Sequence, residues 1–265
     1  GGLVGSEMCI RDSSNEADAV VARAREAGLR ACITIGTGIE DARQGAALAL
    51  RHPGFAFRAA GIDPFTAHAI GERFDEELEA IRVECQGPSC VAVGEVGLDY
   101  HYDLDPPAVQ ATKLERQLDL AVDLDLPVVI HVREAHDDMA SLLAAHPDNR
   151  GVIHSFTAGP REAEAYLDLG WYLAFNGVLT FKNANEVREA ARLAPEDRLL
   201  IETDSPYLAP VPLRGKRCEP AYVVHTLAKL AEVRAVAPER MEQVTSRNAT
   251  WLFGFETPRR PNPRS

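Results

Sequence analysis

The feature that most constrains this chain is a short apolar run that ends in one metal-competent side chain. The clearest example is Val91–Tyr100 (VAVGEVGLDY), in which two glycines flank Glu95. Apolar runs of this length are typical of buried strands, and glycine lets the backbone turn sharply beside the acid. A carboxylate at the end of a buried strand is costly unless a cation or hydrogen-bond donors meet it. Glu95 therefore predicts partners from other strand ends.

Three further runs share this form. They are Pro127–Val132 with His131, Gly151–Ser155 with His154, and Leu199–Ser205 with Asp204. Imidazole nitrogens and carboxylate oxygens are the usual ligands of catalytic zinc or manganese, and carboxylates also suit magnesium. Taken singly, a histidine after a strand is more often a structural residue, Glu95 could cap a helix, and Asp204 could belong to a turn. The recurrence favours one shared metal site.

Strand and helix signals alternate along the whole chain, which predicts one α/β unit of seven strand–helix repeats. The predicted strands are Ala31–Ile35, Phe55–Ile62, the Glu95 strand, the His131 and His154 strands, Trp171–Phe175 and Leu199–Glu202. The predicted helices are Ala17–Ala27, Glu40–His52, Arg73–Cys85, Pro107–Leu124, one that ends near Ala145, Arg161–Leu169, Ala184–Leu193, Pro220–Val233 and Pro238–Phe253.

This pattern predicts a TIM-type (β/α)8 barrel whose first strand is missing or is replaced by residues 1–14. Barrel enzymes place their chemistry at the carboxyl ends of the strands, where the four candidate ligands fall. A doubly wound open sheet also alternates, but Gly36–Thr37–Gly38 is too short for its phosphate-binding fingerprint. We expect a leader at 1–14, the barrel at 15–255 and a tail at 256–265.

Composition restricts the compartment and the partners. A net charge of −12 argues against a general, electrostatically driven nucleic-acid binder, although bound cations would invert the local field at a site. No apolar run approaches the roughly 20 residues of a membrane helix, and no secretory signal is evident, so we expect a soluble cytoplasmic protein. The scattered cysteines predict reduced thiols. They are Cys9, Cys32, Cys85, Cys90 and Cys218.

Several sequence blocks in order resemble the TatD family of metal-dependent hydrolases. They are GEVGLDYHYD (94–103), PVVIHVREAHDD (127–138), IHSFTAG (153–159), FNGVLTFKNA (175–184), IETDSPYLAP (201–210) and RGKRCEPAYV (214–223). The resemblance implies a barrel with two divalent ions that hydrolyses DNA from a single-stranded end in the 3'-5' direction. It also implies that Glu95 bridges the ions, that His131 and His154 complete one site, and that Asp204 binds the other ion and activates water.

The chain departs from the family pattern in three places. The family opens with a strand ending in His-x-His, whereas this sequence has no histidine before His52. Loss of function and a coding artefact that replaced the start both explain the difference, and the artefact is favoured because the strand pattern is lost as well. As written, the chain completes one of the two metal sites. Asp63 stands in GIDPF where the family has GIHPH, and Cys218 stands where asparagine is usual.

Phosphate recognition needs cations at the barrel mouth. The candidate substrate-binding residues are Arg133, Lys182, Arg214, Lys216, Arg217 and Tyr100. Each cation taken singly is equally well a solvated surface charge. The aromatic residues that could stack an unpaired base are Tyr100, Tyr102, Phe156 and Phe181.

Two other functions stay open on the sequence. The same ligands serve ester or amide hydrolysis, including aminoacyl-tRNA deacylation, because metal-activated water attacks carbonyl and phosphoryl centres alike. The missing His-x-His also fits a catalytically disabled barrel that binds nucleic acid or a partner. The sequence leaves the metal, which is zinc, magnesium or manganese, and the oligomeric state undetermined.

Overall fold

The computed structural model describes residues 4–6 and 14–254, and these form a closed barrel of eight parallel strands. The strands are β1 (Val4–Ser6), β2 (Cys32–Gly36), β3 (Ala56–Ala60), β4 (Cys90–Asp99), β5 (Val128–Arg133), β6 (Gly151–Ile153), β7 (Tyr172–Phe175) and β8 (Leu199–Glu202). Each strand pairs with its neighbour in sequence, and β1 pairs with both β2 and β8. The predicted TIM-type barrel is confirmed, and residues of the leader occupy the position of the first strand.

Ten α-helices lie within the described residues. They are α1 (Ser14–Glu26), α2 (Ile39–Arg51), α3 (Pro64–Ile70), α4 (Phe74–Gln86), α5 (Pro107–Asp123), α6 (His136–Ala145), α7 (Pro160–Asp168), α8 (Asn185–Leu193), α9 (Val223–Arg234) and α10 (Pro238–Phe253). The predicted helices agree with these within a few residues, except that Pro220–Tyr222 is a 3-10 turn before α9. The short α3 was not predicted; Asp63 caps it by accepting a hydrogen bond from the Thr66 N–H at 2.8 Å.

The strands are buried on both faces, one toward the helices and one toward the barrel interior. In β2, Cys32 belongs to the cluster shared with the helices, whereas Ile33 belongs to the interior cluster. Ala31, which precedes β2, shares that interior cluster with Leu252 of α10. Helix α10 therefore closes the barrel at the amino ends of the strands, and the carboxyl ends remain as the mouth.

The four cysteines within the described residues, Cys32, Cys85, Cys90 and Cys218, are buried thiols. Cys9 lies outside the described residues. Across residues 4–6 and 14–254, no helix is both long enough and apolar enough to cross a bilayer.

Candidate metal centre

The first histidine of the site lies between two carboxylates of the neighbouring strand. The Nδ1 atom of His131 lies 2.8 Å from Glu95 Oε1, and its Nε2 atom lies 3.0 Å from Asp99 Oδ2. Gly97 pairs directly with His131, so Glu95 and Asp99 flank the histidine two positions to either side. A Cβ atom at Gly97 would collide with the His131 carbonyl oxygen. Glycine at this position therefore allows the two strands to approach each other.

The second histidine has the same arrangement with partners from β8. His154 Nδ1 lies 2.8 Å from Glu202 Oε2, and His154 Nε2 lies 3.4 Å from Asp204 Oδ1. The other oxygen of Glu202 accepts a 2.7 Å hydrogen bond from the Ser155 N–H. Strands β6 and β8 are separated by β7, so these contacts reach across one strand of the barrel.

A short hydrogen-bonded chain joins the ends of β6, β7 and β8. The Asn176 side-chain amide donates to Ser155 Oγ at 2.7 Å, and Ser155 Oγ lies 3.4 Å from Asp204 Oδ2. Ser155 and Asp204 both have positive φ angles, 48° and 59°. Non-glycine residues in this conformation are strained and persist where the surrounding contacts hold them. The hydrogen bonds around Asp204 therefore hold its carboxylate at the mouth on a strained backbone.

Burial and the paired charges together shift the pKa values of the four groups. Burial disfavours the charged form of His131, but its hydrogen bonds to Asp99 and Glu95 outweigh burial and raise its pKa to about 9. Burial likewise opposes protonation of His154, yet the charges of Glu202 and Glu95 hold its pKa well above the ordinary value. Burial alone would raise the pKa of Asp99, and the His131 hydrogen bond reverses this and lowers it. Burial raises the pKa of Glu202.

The chemistry of these donors suits a divalent cation. Two ligands of one zinc ion are about 3 to 3.5 Å apart, given metal–ligand distances near 2 Å. The distances from His131 to Glu95 and from His154 to Asp204, 2.8 and 3.4 Å, are close to that spacing. The remaining ring nitrogen of each histidine contacts a second buried carboxylate, as in the carboxylate–histidine–metal arrangement of metalloenzymes. Within residues 4–6 and 14–254, however, no three His, Cys, Asp or Glu side chains converge as a complete ligand set. The distances therefore match the spacing of metal ligands only within each of the two pairs, His131 with Glu95 and His154 with Asp204.

Asp63 also lies near this site, because the charges of Glu95 and His131 both act on it. Burial and the negative charge of Glu95 raise the pKa of Asp63 to about 6, and the positive charge of His131 opposes the shift. Its carboxylate already caps α3. Asp63 therefore places the first turn of α3 next to Glu95 and His131 at the mouth of the barrel.

The predicted substrate-binding residues lie on two sides of the mouth. Arg133 ends β5 and donates to the Tyr102 hydroxyl at 3.3 Å. Tyr100 donates its hydroxyl proton to Asp138 at 2.9 Å, and burial together with Asp138 raises its pKa to about 12. On the other side, the guanidinium carbon of Arg214 lies 3.8 Å from the centroid of the Phe181 ring.

The remaining cations are exposed, and one of them is already paired. Lys182 follows β7, and Lys216 lies in the loop after β8. Arg217 forms an ion pair with Glu16 of α1 at 2.7 Å. Because Glu16 already neutralises its charge, Arg217 is a weaker candidate for binding phosphate than the other predicted cations.

Four polar residues of the site were not predicted from the sequence. They are Asp99, Glu202, Ser155 and Asn176. A signal was available for Asp99, because alternate residues of a strand share a face and Asp99 lies four positions after Glu95. No comparable local signal marks Glu202, whose partner is two strands away.

Comparison with known proteins shows the family of the chain. The family model described as TatD related DNase matches residues 8–254. The chain belongs to this family. A protein named 3'-5' ssDNA/RNA exonuclease TatD, from Erwinia billingiae, is 34% identical over 257 residues, which cover 94% of this chain and 97% of that protein. The uncharacterized metal-dependent hydrolase YabD of Bacillus subtilis is 38% identical over 201 residues, 75% of this chain and 78% of YabD.

The fold of this TatD-family chain is also close to a solved structure. The crystal structure of YjjV, a TatD homologue from Escherichia coli K12, superimposes with a TM-score of 0.85 at 30% identity. The superposition covers 95% of this chain and 98% of YjjV. The barrel described above is therefore the family barrel over nearly its whole length.

Proposed function

We propose that the chain is a divalent-metal-dependent phosphodiesterase that removes nucleotides from single-stranded ends of nucleic acid. The observation that carries this proposal is the pair of histidines at the barrel mouth. Each histidine contacts one candidate metal ligand, Glu95 or Asp204, through one ring nitrogen and a buried carboxylate, Asp99 or Glu202, through the other. The relative from Erwinia billingiae is named an ssDNA/RNA exonuclease, which supports the choice of substrate. We place DNA first among the substrates and the cytoplasm as the location.

The residues that would contribute to holding the ion are Glu95 and His131 on one side of the mouth and His154 and Asp204 on the other, since the observed fit is pairwise. When bound, a divalent ion would act as a Lewis acid toward the phosphate and lower the pKa of water. Asp99 and Glu202 would fix the orientation of the two imidazole rings, because each contacts one ring nitrogen. We propose occupancy by one ion, which is zinc, manganese or magnesium, since the sequence lacks the histidines of the family's opening motif.

Two carboxylates would have separate roles, one in proton transfer and one in holding the site. Asp204 lies at the mouth beside His154, where Ser155 and its strained backbone keep the carboxylate in place. In this position Asp204 would orient the attacking water and accept its proton. Glu95 would hold the centre of the site, because it contacts His131 directly and its charge also acts on His154.

Phosphate and base recognition would come from the rim. Arg133 and Arg214 are the cations best placed for this, since each also lies over an aromatic ring at the mouth. Arginine binds phosphate through a planar fork of donors and stacks on flat rings at the same time. The local positive charge would offset the acidic character of the whole chain.

The experiment is hydrolysis of a short single-stranded DNA by the purified chain, with the metal first removed by a chelator and then restored. We expect nucleotide release only after manganese, zinc or magnesium is added. His154→Ala should abolish release, because it removes the ring that joins Asp204 to Glu202. An unmodified duplex should be a poorer substrate.

A matched control is His146→Ala. This histidine directly follows α6, on the far side of the barrel from the mouth, and its Nδ1 atom lies 2.9 Å from the Leu142 carbonyl oxygen of that helix. Its removal should leave nucleotide release unchanged. Intact DNA in the presence of each of the three metals would contradict the proposal.

A second candidate is a barrel that binds nucleic acid without hydrolysing it. The observation that favours it is the pairwise fit, since three converging ligands are not found within the described residues. Metal content near zero in a folded protein that still retains single-stranded DNA would establish this candidate and exclude the first.

A further inference from the structure

Three exposed side chains at the β3–β5 side of the mouth form one continuous surface, here called the aromatic ledge: Phe65, Tyr102 and Arg133. The Phe65 and Tyr102 rings meet edge to face with their centroids 5.1 Å apart. The guanidinium carbon of Arg133 lies 5.0 Å from the centre of the Tyr102 ring. The ledge thus combines two aromatic rings with a cation.

Chain connectivity places the ledge beside the candidate metal centre. Phe65 lies two residues after Asp63, and Arg133 lies two residues after His131. Tyr102 lies three residues after Asp99, whose carboxylate accepts hydrogen bonds from the backbone N–H groups of His101 and Tyr102. Because an extended chain covers about 3.5 Å per residue, the Cα atom of each ledge residue lies within roughly 11 Å of the Cα atom of a residue of the candidate metal centre.

The two aromatic rings of the ledge are more exposed to solvent than is usual for aromatic side chains. Phe65 is 41% exposed and Tyr102 is 47% exposed, although aromatic residues contribute most when they are buried. Phe65 lies in the first turn of the short α3 and is not among the residues that this helix buries. Contacts within the protein therefore leave a large share of both rings available to a ligand.

The charge around the ledge favours a ligand that carries both a flat ring and a phosphate. The neighbouring acid, Glu134, is held by the His101 ring at 2.6 Å. Within the part of the chain that the structure describes, Arg133 pairs with no carboxylate and instead lies over Tyr102. A flat ring can stack on the aromatic face while the guanidinium approaches an adjacent phosphate.

We propose that the aromatic ledge binds an unpaired base of the nucleic acid by stacking, with Arg133 on the neighbouring phosphate. This inference rests on the proposed function, and it deepens it by naming the residues that select single strands. A base in a duplex is covered on both faces by its neighbours, whereas a base at a single-stranded end offers a free face to the rings. Phe65 would therefore act in substrate selection.

The test measures binding of a short oligodeoxyadenylate with phosphorothioate linkages, which resist hydrolysis, and with 2-aminopurine near its end. We expect Phe65→Ala and Tyr102→Ala each to weaken binding about tenfold and to reduce the quenching of 2-aminopurine fluorescence. An abasic oligonucleotide of the same length keeps the phosphates but lacks the bases. It should bind the wild type and both variants equally.

The matched control is Trp251→Ala, which removes an exposed aromatic ring on α10, at the closed end of the barrel. Trp251 is 75% exposed, so its loss should leave the fold and both affinities unchanged. Circular dichroism should show that all three variants remain folded. Arg133→Lys keeps the charge but removes the planar group, and should weaken binding less than Tyr102→Ala.

Two results would contradict the proposal that the aromatic ledge stacks an unpaired base. One is equal affinity of the wild type and Phe65→Ala for the oligodeoxyadenylate. The other is an equal loss of affinity for the abasic oligonucleotide, which would mean that the rings act through the fold or the phosphates. Hydrolysis of an unmodified oligonucleotide by the wild type tests the proposed function separately, so failure of the ledge and failure of the enzyme are distinguishable.

Discussion

The two histidines of the site are held by the same kind of contact in different surroundings. On the β4–β5 side, His131 takes both carboxylates from one adjacent strand, and 23% of its side chain is exposed. On the β6–β8 side, His154 reaches across β7, and only 4% of its side chain is exposed. The first side is therefore open toward substrate and the second is a buried anchor.

This difference separates binding from stability. A charged pair that is almost fully buried is strongly destabilised when one partner is removed, because the other is left uncompensated. A pair with partial access to water loses less, since solvent can replace the missing partner. Changes on the β6–β8 side should therefore act on the fold as well as on the chemistry of the site, whereas changes on the β4–β5 side should act mainly on metal and substrate.

The largest effect is expected from Glu202→Ala. This change leaves His154 buried without its Nδ1 partner and leaves the Ser155 N–H without its acceptor. We expect a loss of about 3 kcal/mol in the free energy of unfolding, measured by urea denaturation.

Glu219→Ala is the matched control for that change. Glu219 pairs with Arg23 at the surface, at 2.6 Å. Its removal should cost less than about 1 kcal/mol. Similar losses in the two variants would break the distinction between the two sides of the site.

The next effect is expected from Asp99→Asn on the β4–β5 side. The amide keeps the shape and one acceptor but removes the charge that orients His131. We expect metal affinity to fall about tenfold, measured by competition with a chromophoric chelator, with a smaller loss of stability than for Glu202→Ala. Asp119→Asn, on the exposed face of α5, should change neither quantity. An unchanged metal affinity in Asp99→Asn would separate His131 from the metal centre.

A smaller effect is expected from Ser155→Ala. The variant loses the acceptor of the Asn176 amide and the hydroxyl beside Asp204. We expect a loss of about 1 kcal/mol in stability, because one buried donor is left without a partner. The kcat for nucleotide release should fall with little change in KM if Asp204 orients water. A change confined to KM would indicate that Ser155 contacts substrate instead.

The smallest effect is expected from Arg217→Ala. Glu16 already compensates the guanidinium, so its removal should weaken binding of single-stranded DNA less than about twofold. Arg133→Ala should weaken binding several-fold more under the same salt conditions. Equal losses would show that the two cations contribute to one diffuse field rather than to a specific contact.

Sequence reasoning was most informative where the contacts are local. Glu95 and His131 belong to strands that are consecutive in sequence, and their apolar runs predicted both strands. Asp99 follows from strand alternation once β4 is known to continue to that residue. Glu202 does not follow in this way, because its role depends on a contact between β6 and β8 across an intervening strand.

The first strand shows a different limit of sequence patterns. Val4–Ser6 lacks the apolar run that identified the other strands, yet it pairs with β2 and β8. Such pairing uses backbone groups, and a barrel with seven strands would leave two open edges that favour it. The strand is therefore determined by the rest of the barrel rather than by its own side chains. The aromatic ledge likewise depends on α3, which is too short for a periodic signal.

The most direct measurement is the metal content of the purified chain and of the double variant His131→Ala/His154→Ala, determined by elemental analysis. We expect about one divalent ion per wild-type chain and almost none in the variant, since both imidazole ligands are removed. Equal and low metal content in the two proteins would contradict it. In that case Glu95, His131, His154 and Asp204 would not form a metal centre.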